Sequence, residues 1–267
     1  MAAPRYLDKF TSSDETWEFV FPRNRMEYVS SQGLRSPRDH VSGAHYSYRQ
    51  RGSQVALKDV ASERCRFVMV GDAEDLNDLL DEMRANLFLG AFGKLYLSDG
   101  RWAWAELTSM PEVTIAYNSP RIVPVIVGFT RFDDWCGIEV VEEYELDSAS
   151  MTFEVVNPGT AVIYDAVMTL RGTYTNPAFQ NANTGYGWSS TRDGTHANHR
   201  LRVDAGRGEV ERSTDGGDTW ADDYAEFSLP AEQVQIMTLN PGVNEIAYED
   251  GGSPDAVVAV QFYPRYH

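Results

Sequence analysis

Three groupings of polar residues in this 267-residue chain have the types and spacings that chemistry uses. Ser213 to Trp220 reads STDGGDTW, a full match to the Asp-box pattern S-x-D-x-G-x-T-W. In such a turn the Asp carboxylate accepts backbone N–H bonds, Gly supplies positive φ and Trp packs across the hairpin, so the chemistry is structural. A sugar-contacting turn is the competing reading; a propeller would need a box in several blades. His196 and His199 form H-x-x-H inside TRDGTHANHR, which reads as a Gly/Asn loop. Two imidazoles three apart share a face only on a helix, and no third metal ligand is evident. The carboxylate pairs Asp133/Asp134 and Glu142/Glu143 would have to be held about 5 to 9.5 Å apart across a cleft to hydrolyse a glycoside. Neighbours on a strand point to opposite faces, so neither pair can do this from one surface.

Nothing else in the sequence supplies a catalytic centre. There is no Gly-rich phosphate loop, no G-x-S-x-G elbow and no H-E-x-x-H, and no catalytic residue, metal or cofactor is expected. Cys65 and Cys136 are too few and too far apart for a disulfide framework or zinc site and read as buried thiols. Tyr186, Trp188 and His196, with Trp220 of the Asp box, are the candidate outer contacts for a sugar or a protein. The formal charge of −17, from 40 acidic and 23 basic side chains, opposes binding to phosphate backbones or anionic lipid. No apolar run approaches the ~20 residues that span a bilayer, and MAAPRYLDKF lacks the features of a signal peptide, which predicts a soluble chain made in the cytoplasm.

The elements that position these residues are mostly strands. Thr16 to Phe21 alternates and reads as a strand, and Cys65 to Val70 as another. Apolar positions Leu76, Leu79, Leu80, Met83 and Leu87 recur at spacings of three and four, predicting one helix over about 73–88 that packs onto a sheet. Leu95–Leu97, a Ser-Asp-Gly turn and Trp102–Leu107 predict a hairpin. Arg121 to Arg131 is a strand whose Pro124 points to an edge or a bulge. From Asp133 to Ser150 the chain carries seven acids and no base, which reads as a solvated connector between two domains, 1–147 and 148–267. Beyond it, Met151–Val156, Ala161–Arg171, Leu201–Asp204, Glu209–Ser213, Ala225–Leu229, Asn244–Tyr248 and Ala256–Phe262 alternate with Gly, Asn and Pro turns, the pattern of a β-sandwich. Asn157, Asn176 and Asn244 can each bond the local backbone and fix those turns without a ligand.

Charge is unevenly placed. Arg23 to Arg66 carries nine basic and four acidic residues, so the rest of the chain sums to −22. Within that region the polar stretch Ser31 to Gln54 is too long for an ordinary hairpin loop. Its Arg35, Arg38, Tyr46, Tyr48, Arg49 and Arg51 are types enriched at interface cores and are the candidate inter-subunit contacts.

Helix LNDLLDEMRANLF and hairpin LYLSDGRWAWAEL give the first half a likeness to the first domain of siphophage distal tail proteins. The second half is similar to that family's galectin-like domain in FEVVNPGTAVIYDAVMTLRGTYTNPAFQN, LRVDAGRGEVERS and LNPGVNEIAY. The resemblance runs from about Phe19 to the C-terminus. It implies a mainly β protein: an N-terminal, tail-tube-like β-barrel or sandwich with one packed helix, then a galectin-like β-sandwich. It further implies a structural, non-enzymatic virion protein of the tail tip, six copies forming a ring that joins the tail tube to the tip or baseplate. Its partners would be itself, the tube protein, the hub or tip with receptor-binding proteins, and the tape-measure protein. DNA would pass through the lumen without specific binding, and no membrane is involved. The alternative reading is a carbohydrate-binding β-sandwich or glycan-active protein.

Overall fold

The computed structural model describes residues 7–21, 26–32, 39–40, 47–51, 54–58, 61–70, 73–113, 122–132, 134–230, 233 and 235–266. They are mainly β, in several antiparallel sheets with one α-helix. The chain divides into two compact units, Met1–Arg49, Ala56–Cys136 and His267 in the first, Gln50–Val55 and Gly137–Tyr266 in the second.

The first part of the chain contributes β1 (Leu7–Ser12), β2 (Glu18–Val20), β3 (Met26–Gln32), β4 (Asp39–His40), β5 (Ser47–Arg51), β6 (Gln54–Lys58), β7 (Ala61–Val70), α1 (Ala73–Asn86), β8 (Phe92–Leu97), β9 (Trp102–Val113), β10 (Ile122–Arg131) and β11 (Trp135–Cys136). One sheet runs β2-β1-β8-β9-β10-β7-β3, and β11 pairs with β9. This path is open among the described residues. Where a loop was expected between Ser31 and Gln54, β4, β5 and β6 form a small sheet in the order β4-β6-β5. Helix α1 matches the expected segment and buries Leu80, Met83 and, just past its end, Leu87. It lies against β2 and β9, above a core that includes Phe10, Leu95, Leu107 and Phe129. Strand β10 is central rather than an edge, flanked by β9 and β7. Pro124 itself pairs opposite Val68 of β7, and among the described residues the pairing with β9 begins at Val125 opposite Val113.

The second part contributes β12 (Val140–Leu146), β13 (Ser150–Asn157), β14 (Val167–Tyr174), β15 (Ala178–Asn181), β16 (Gly187–Ser190), β17 (Gly194–Asp204), β18 (Glu209–Ser213), β19 (Ala221–Asp222), β20 (Phe227–Ser228), β21 (Gly242–Glu249), β22 (Asp255–Phe262) and β23 (Arg265–Tyr266). The orders β12-β22-β14-β17-β18-β19 and β13-β21-β15-β16-β20 define two sheets. Their inward residues, among them Phe153, Leu170, Phe179, Leu201, Tyr248 and Val258, form one apolar core, as in a β-sandwich. The acidic stretch read as a connector is largely strand β12: Tyr144 stacks on Phe153 at 4.3 Å, while Glu143 and Glu145 alternate outward. Period-2 alternation keeps Glu143 and Glu145 in solvent, while half-buried Glu142, on the inward face, accepts from the Tyr144 hydroxyl.

Three buried asparagines tie the sandwich ends. Asn157 donates to Ala161 O (3.0 Å) and Leu239 O (3.2 Å), and its Oδ1 accepts from Gly159 N. Asn181 donates to Thr238 O (2.7 Å) and to Asn244 Oδ1 (3.0 Å). Asn244 in turn donates to Asn240 O (2.8 Å) and accepts from Asn240 N (2.8 Å). Asn176 plays a different part, adopting φ +46° while its N–H donates to Asp193 Oδ1.

Candidate functional site

The structure separates the four candidate outer contacts. Trp188 is only 2% exposed, packed between Phe179 (4.8 Å) and Phe227 (5.8 Å), and offers no surface. Its strand β16 has an inward face in the sandwich, and a large apolar ring gains more there than at the surface. Tyr186, half-buried, lines a shallow groove with Tyr164, Thr238 and Asn240. Trp220 is half-buried beneath the Arg202 guanidinium, 4.6 Å from its ring centre. His196 is exposed and meets His199 edge-on at 5.3 Å. Both histidines lie on β17, not on a loop. Among the described residues no group of three or more His, Cys, Asp or Glu could hold a metal ion. No described helix is long and apolar enough to cross a membrane.

Sequence reasoning missed a polar cleft of about 220 Å³ lined by Tyr174, Arg192, Asp193, His199, Arg200 and Arg212. A bulge in β17 builds one wall. The pairing steps from Arg171 opposite Arg200 to Gly172 opposite His196, so residues 197–199 loop out. Gly172 is required at that step: its φ is +111°, and a Cβ would stand 2.4 Å from Asp255 O. His199 then folds back, its Nδ1 accepting from Thr195 N at 3.1 Å, which leaves the neutral ring's proton on Nε2. Near the cleft's base Asp223, 3% exposed, accepts from Arg192 Nε (3.0 Å) and Nη2 (2.6 Å). Arg212 Nε lies 3.6 Å from the same carboxylate. Burial, and then the Asp223 charge, push the Tyr174 phenol up to about 12, so it stays a neutral donor.

The Asp box forms the opposite wall and has the expected internal chemistry. Ser213 Oγ donates to Asp215 Oδ1 (2.6 Å), Thr219 N donates to Asp215 Oδ1 (3.0 Å), and Gly216 and Gly217 take φ +86° and +100°. These bonds, Ser213 first and Thr219 next, hold the Asp215 carboxyl well below the usual carboxylate range. Because the folded value is depressed, the ionised carboxylate contributes its stability above the ordinary value near pH 4 and loses it as pH falls further. Asp215→Asn is therefore expected to flatten the acid limb of a melting-temperature profile between about pH 5 and pH 2.5. Equal acid sensitivity in variant and parent would show that this carboxylate does not matter.

Of the candidate inter-subunit contacts, Arg35, Arg38 and Tyr46 lie outside the described residues. Tyr48, Arg49 and Arg51 fall on β5, whose side chains lie outside them too. The described part of the first unit has an apolar face that the sequence reading did not pick out. Phe88 (51% exposed), Leu89 (64%) and Phe92 (45%) stand open to solvent where α1 gives way to β8. Phe92 stacks on Trp104 at 5.2 Å and meets Phe132 at 5.9 Å, while Phe88 meets Trp17 at 5.8 Å. No spacing rule exposes this set, because Trp17, the 88–92 stretch, Trp104 and Phe132 come from four separate segments.

No protein-family model and no curated protein matches the sequence. Among solved structures, the fold is similar to that of the SPP1 Dit protein (gp 19.1), described as a paradigm of the hub adsorption apparatus in phages infecting Gram-positive bacteria. The TM-score is 0.59 at 13% identity, covering 90% of this chain and 95% of that one. A chain in the phage P2 baseplate, in its activated conformation with Ca, matches at TM-score 0.37 and 10% identity, covering 97% of this chain and 98% of that chain. Only the first is near enough to show the fold, and it does so across both units.

Proposed function

We propose that this chain is a siphophage distal tail protein, a non-enzymatic structural component of the virion that forms the ring between tail tube and tail tip. The shared fold carries the reading: likeness to a hub protein extends over nearly the whole of both chains rather than over one sandwich. The first unit would build the ring, six copies continuing the tube, and the galectin-like second unit would project outward and hold tip or receptor-binding proteins. The tube and tape-measure proteins would be its axial neighbours, and DNA would pass through a lumen that a net acidic subunit does not make adhesive.

Two features support self-association head to tail. Phe88, Leu89 and Phe92 are exposed within five residues of one another, and clustered exposed apolar residues mark contact sites more often than single ones do. α1, which ends just before that face, exposes Asp78, Asp81 and Glu82, opposite in sign to the basic Arg23–Arg66 stretch that a neighbouring copy could bring. Negative-stain imaging and light scattering of the purified protein are expected to show six-membered rings. Leu89→Asp, at a position already exposed, is expected to shift the population to monomers without lowering the melting temperature. A protein that stays monomeric at high concentration and low salt, with no rings in the images, ends this reading.

A further inference from the structure

We infer that the cleft between the β17 bulge and the Asp box is an oxyanion-binding site, taking a single carboxylate or phosphate carried by a small ligand such as an acidic sugar. The inference does not depend on ring formation.

The first observation is an unspent guanidinium. Arg200 Nε is buried and has no hydrogen-bond partner, and among the described residues no carboxylate pairs with this side chain. Leaving a charged donor desolvated and unmatched is costly, and a buried polar atom without a partner calls for a ligand or ordered solvent. Nor is Arg200 simply loose. A Cβ at Gly217 would stand 3.1 Å from Arg200 Nη1, so the guanidinium rests on bare backbone of the Asp-box turn. Gly217 thus serves the turn through its positive φ and the cleft by leaving room for the charge.

The second observation is how the internal acids are used. Asp223 is engaged by Arg192 through Nε and Nη2, a fork matched to a carboxylate. Arg212 approaches it at 3.6 Å, outside hydrogen-bond range, so Arg212 keeps its donors for another acceptor. Asp193 is occupied in accepting from Asn176 N. Arg192 is matched by Asp223 and by Glu226 at 3.7 Å, and Arg212 lies near Asp223, so the charge left without a carboxylate partner at the cleft is that of Arg200, in a chain whose total is −17. A guanidinium with no counter-charge attracts an anion that the rest of the surface repels.

Size fits the same class. A cleft of about 220 Å³ far exceeds the ~10–15 Å³ that a single ordered water needs, which leaves room for an oxyanion and the ring or chain that bears it. Ser213 and Thr214 line the cleft beside the arginines. Neutral sugars would leave both guanidinium groups unmatched, so discrimination should favour charge.

Calorimetric titration of the full-length protein with inorganic phosphate, glucose 1-phosphate, galacturonate and galactose tests the site. One saturable site per chain is expected for galacturonate or for the two phosphates, weakening as salt is raised, with galactose at least tenfold weaker; which anion binds identifies carboxylate or phosphate as the source. Arg200→Gln should weaken that binding at least tenfold, Arg212→Gln should weaken it too, and Arg207→Gln, a substitution at an exposed position outside the cleft, should leave it unchanged. Melting curves check that the variants fold. Absence of saturable anion binding by the parent protein, equal binding by folded Arg200→Gln, or galactose binding as tightly as galacturonate overturns the proposal. Rings without anion binding would remove this site alone, and anion binding without rings would remove only the tail assignment.

Discussion

Replacing Asn244 with Ala is expected to destabilise the second unit by about 2–4 kcal/mol, as four hydrogen-bonding groups lose a partner, the fully buried Asn181 amide among them. Asn244 is 0% exposed. Its Oδ1 accepts from Asn240 N (2.8 Å) and Asn181 Nδ2 (3.0 Å), and its Nδ2 donates to Asn240 O (2.8 Å) and Gly242 O (3.1 Å). The side chain closes the turn before β21 and links it to the end of β15, so the loss spans two connections. Asn244→Asp should be no better. It keeps the acceptors but turns a carboxylate toward the Asn240 and Gly242 carbonyls, and an unpaired buried charge costs more than a missing amide. A drop of roughly 10 °C in the second unit's melting transition would match the middle of this range. A shift near zero for both variants would mean that the Asn cluster is decorative.

Asn244 and Asn157 were legible in the sequence, because Asn beside Pro and Gly between apolar runs signals a backbone-bonding turn. Asn181 was not singled out as a turn-former: its partners Thr238 and Asn244 lie 57 and 63 positions away, and no local pattern reports such a bond. The same divide runs through the fold. Helix α1, the β8–β9 hairpin and strands β13, β18, β21 and β22 follow from local period and turn chemistry. Strand β12 was taken for a connector because its charge outweighed its alternation. Short β15 and β16 carry too few residues for a period to emerge. A second Asp-box-like turn, Ser12 to Trp17, escaped because it is two residues shorter and uses Glu15 at φ +56° where the full motif uses glycine. Its bonds repeat the scheme all the same: Ser12 Oγ donates to Asp14 Oδ1 (2.6 Å), and Thr16 N donates to the same oxygen (3.2 Å). At the cleft, H-x-x-H drew attention to the right segment for the wrong reason. Its importance lies in the bulge that sets His199 and Arg200 at the rim, and a three-residue bulge has no composition of its own.

Trp188→Ala is expected to cost about 3–5 kcal/mol, the range for removing a large aromatic side chain from a packed core. The indole fills the space between Phe179 and Phe227, and Phe179 also packs on Tyr248 at 4.9 Å, so the cavity would open against an aromatic row joining β15, β16, β20 and β21. Trp188→Phe separates packing from polarity. The Trp188 Nε1–H is buried with no hydrogen-bond partner among the described residues, so removing it relieves a cost of about 1–3 kcal/mol while the smaller ring forfeits some contact. The two changes oppose one another, and the Phe variant should melt within a few degrees of the parent. These outcomes also distinguish a core residue from a surface contact: a sugar-stacking Trp188 would lose binding in both variants with little change in melting. Heat-induced unfolding followed by circular dichroism decides between them. A stable Trp188→Ala protein would require the ring to lie at the surface, against the packing described.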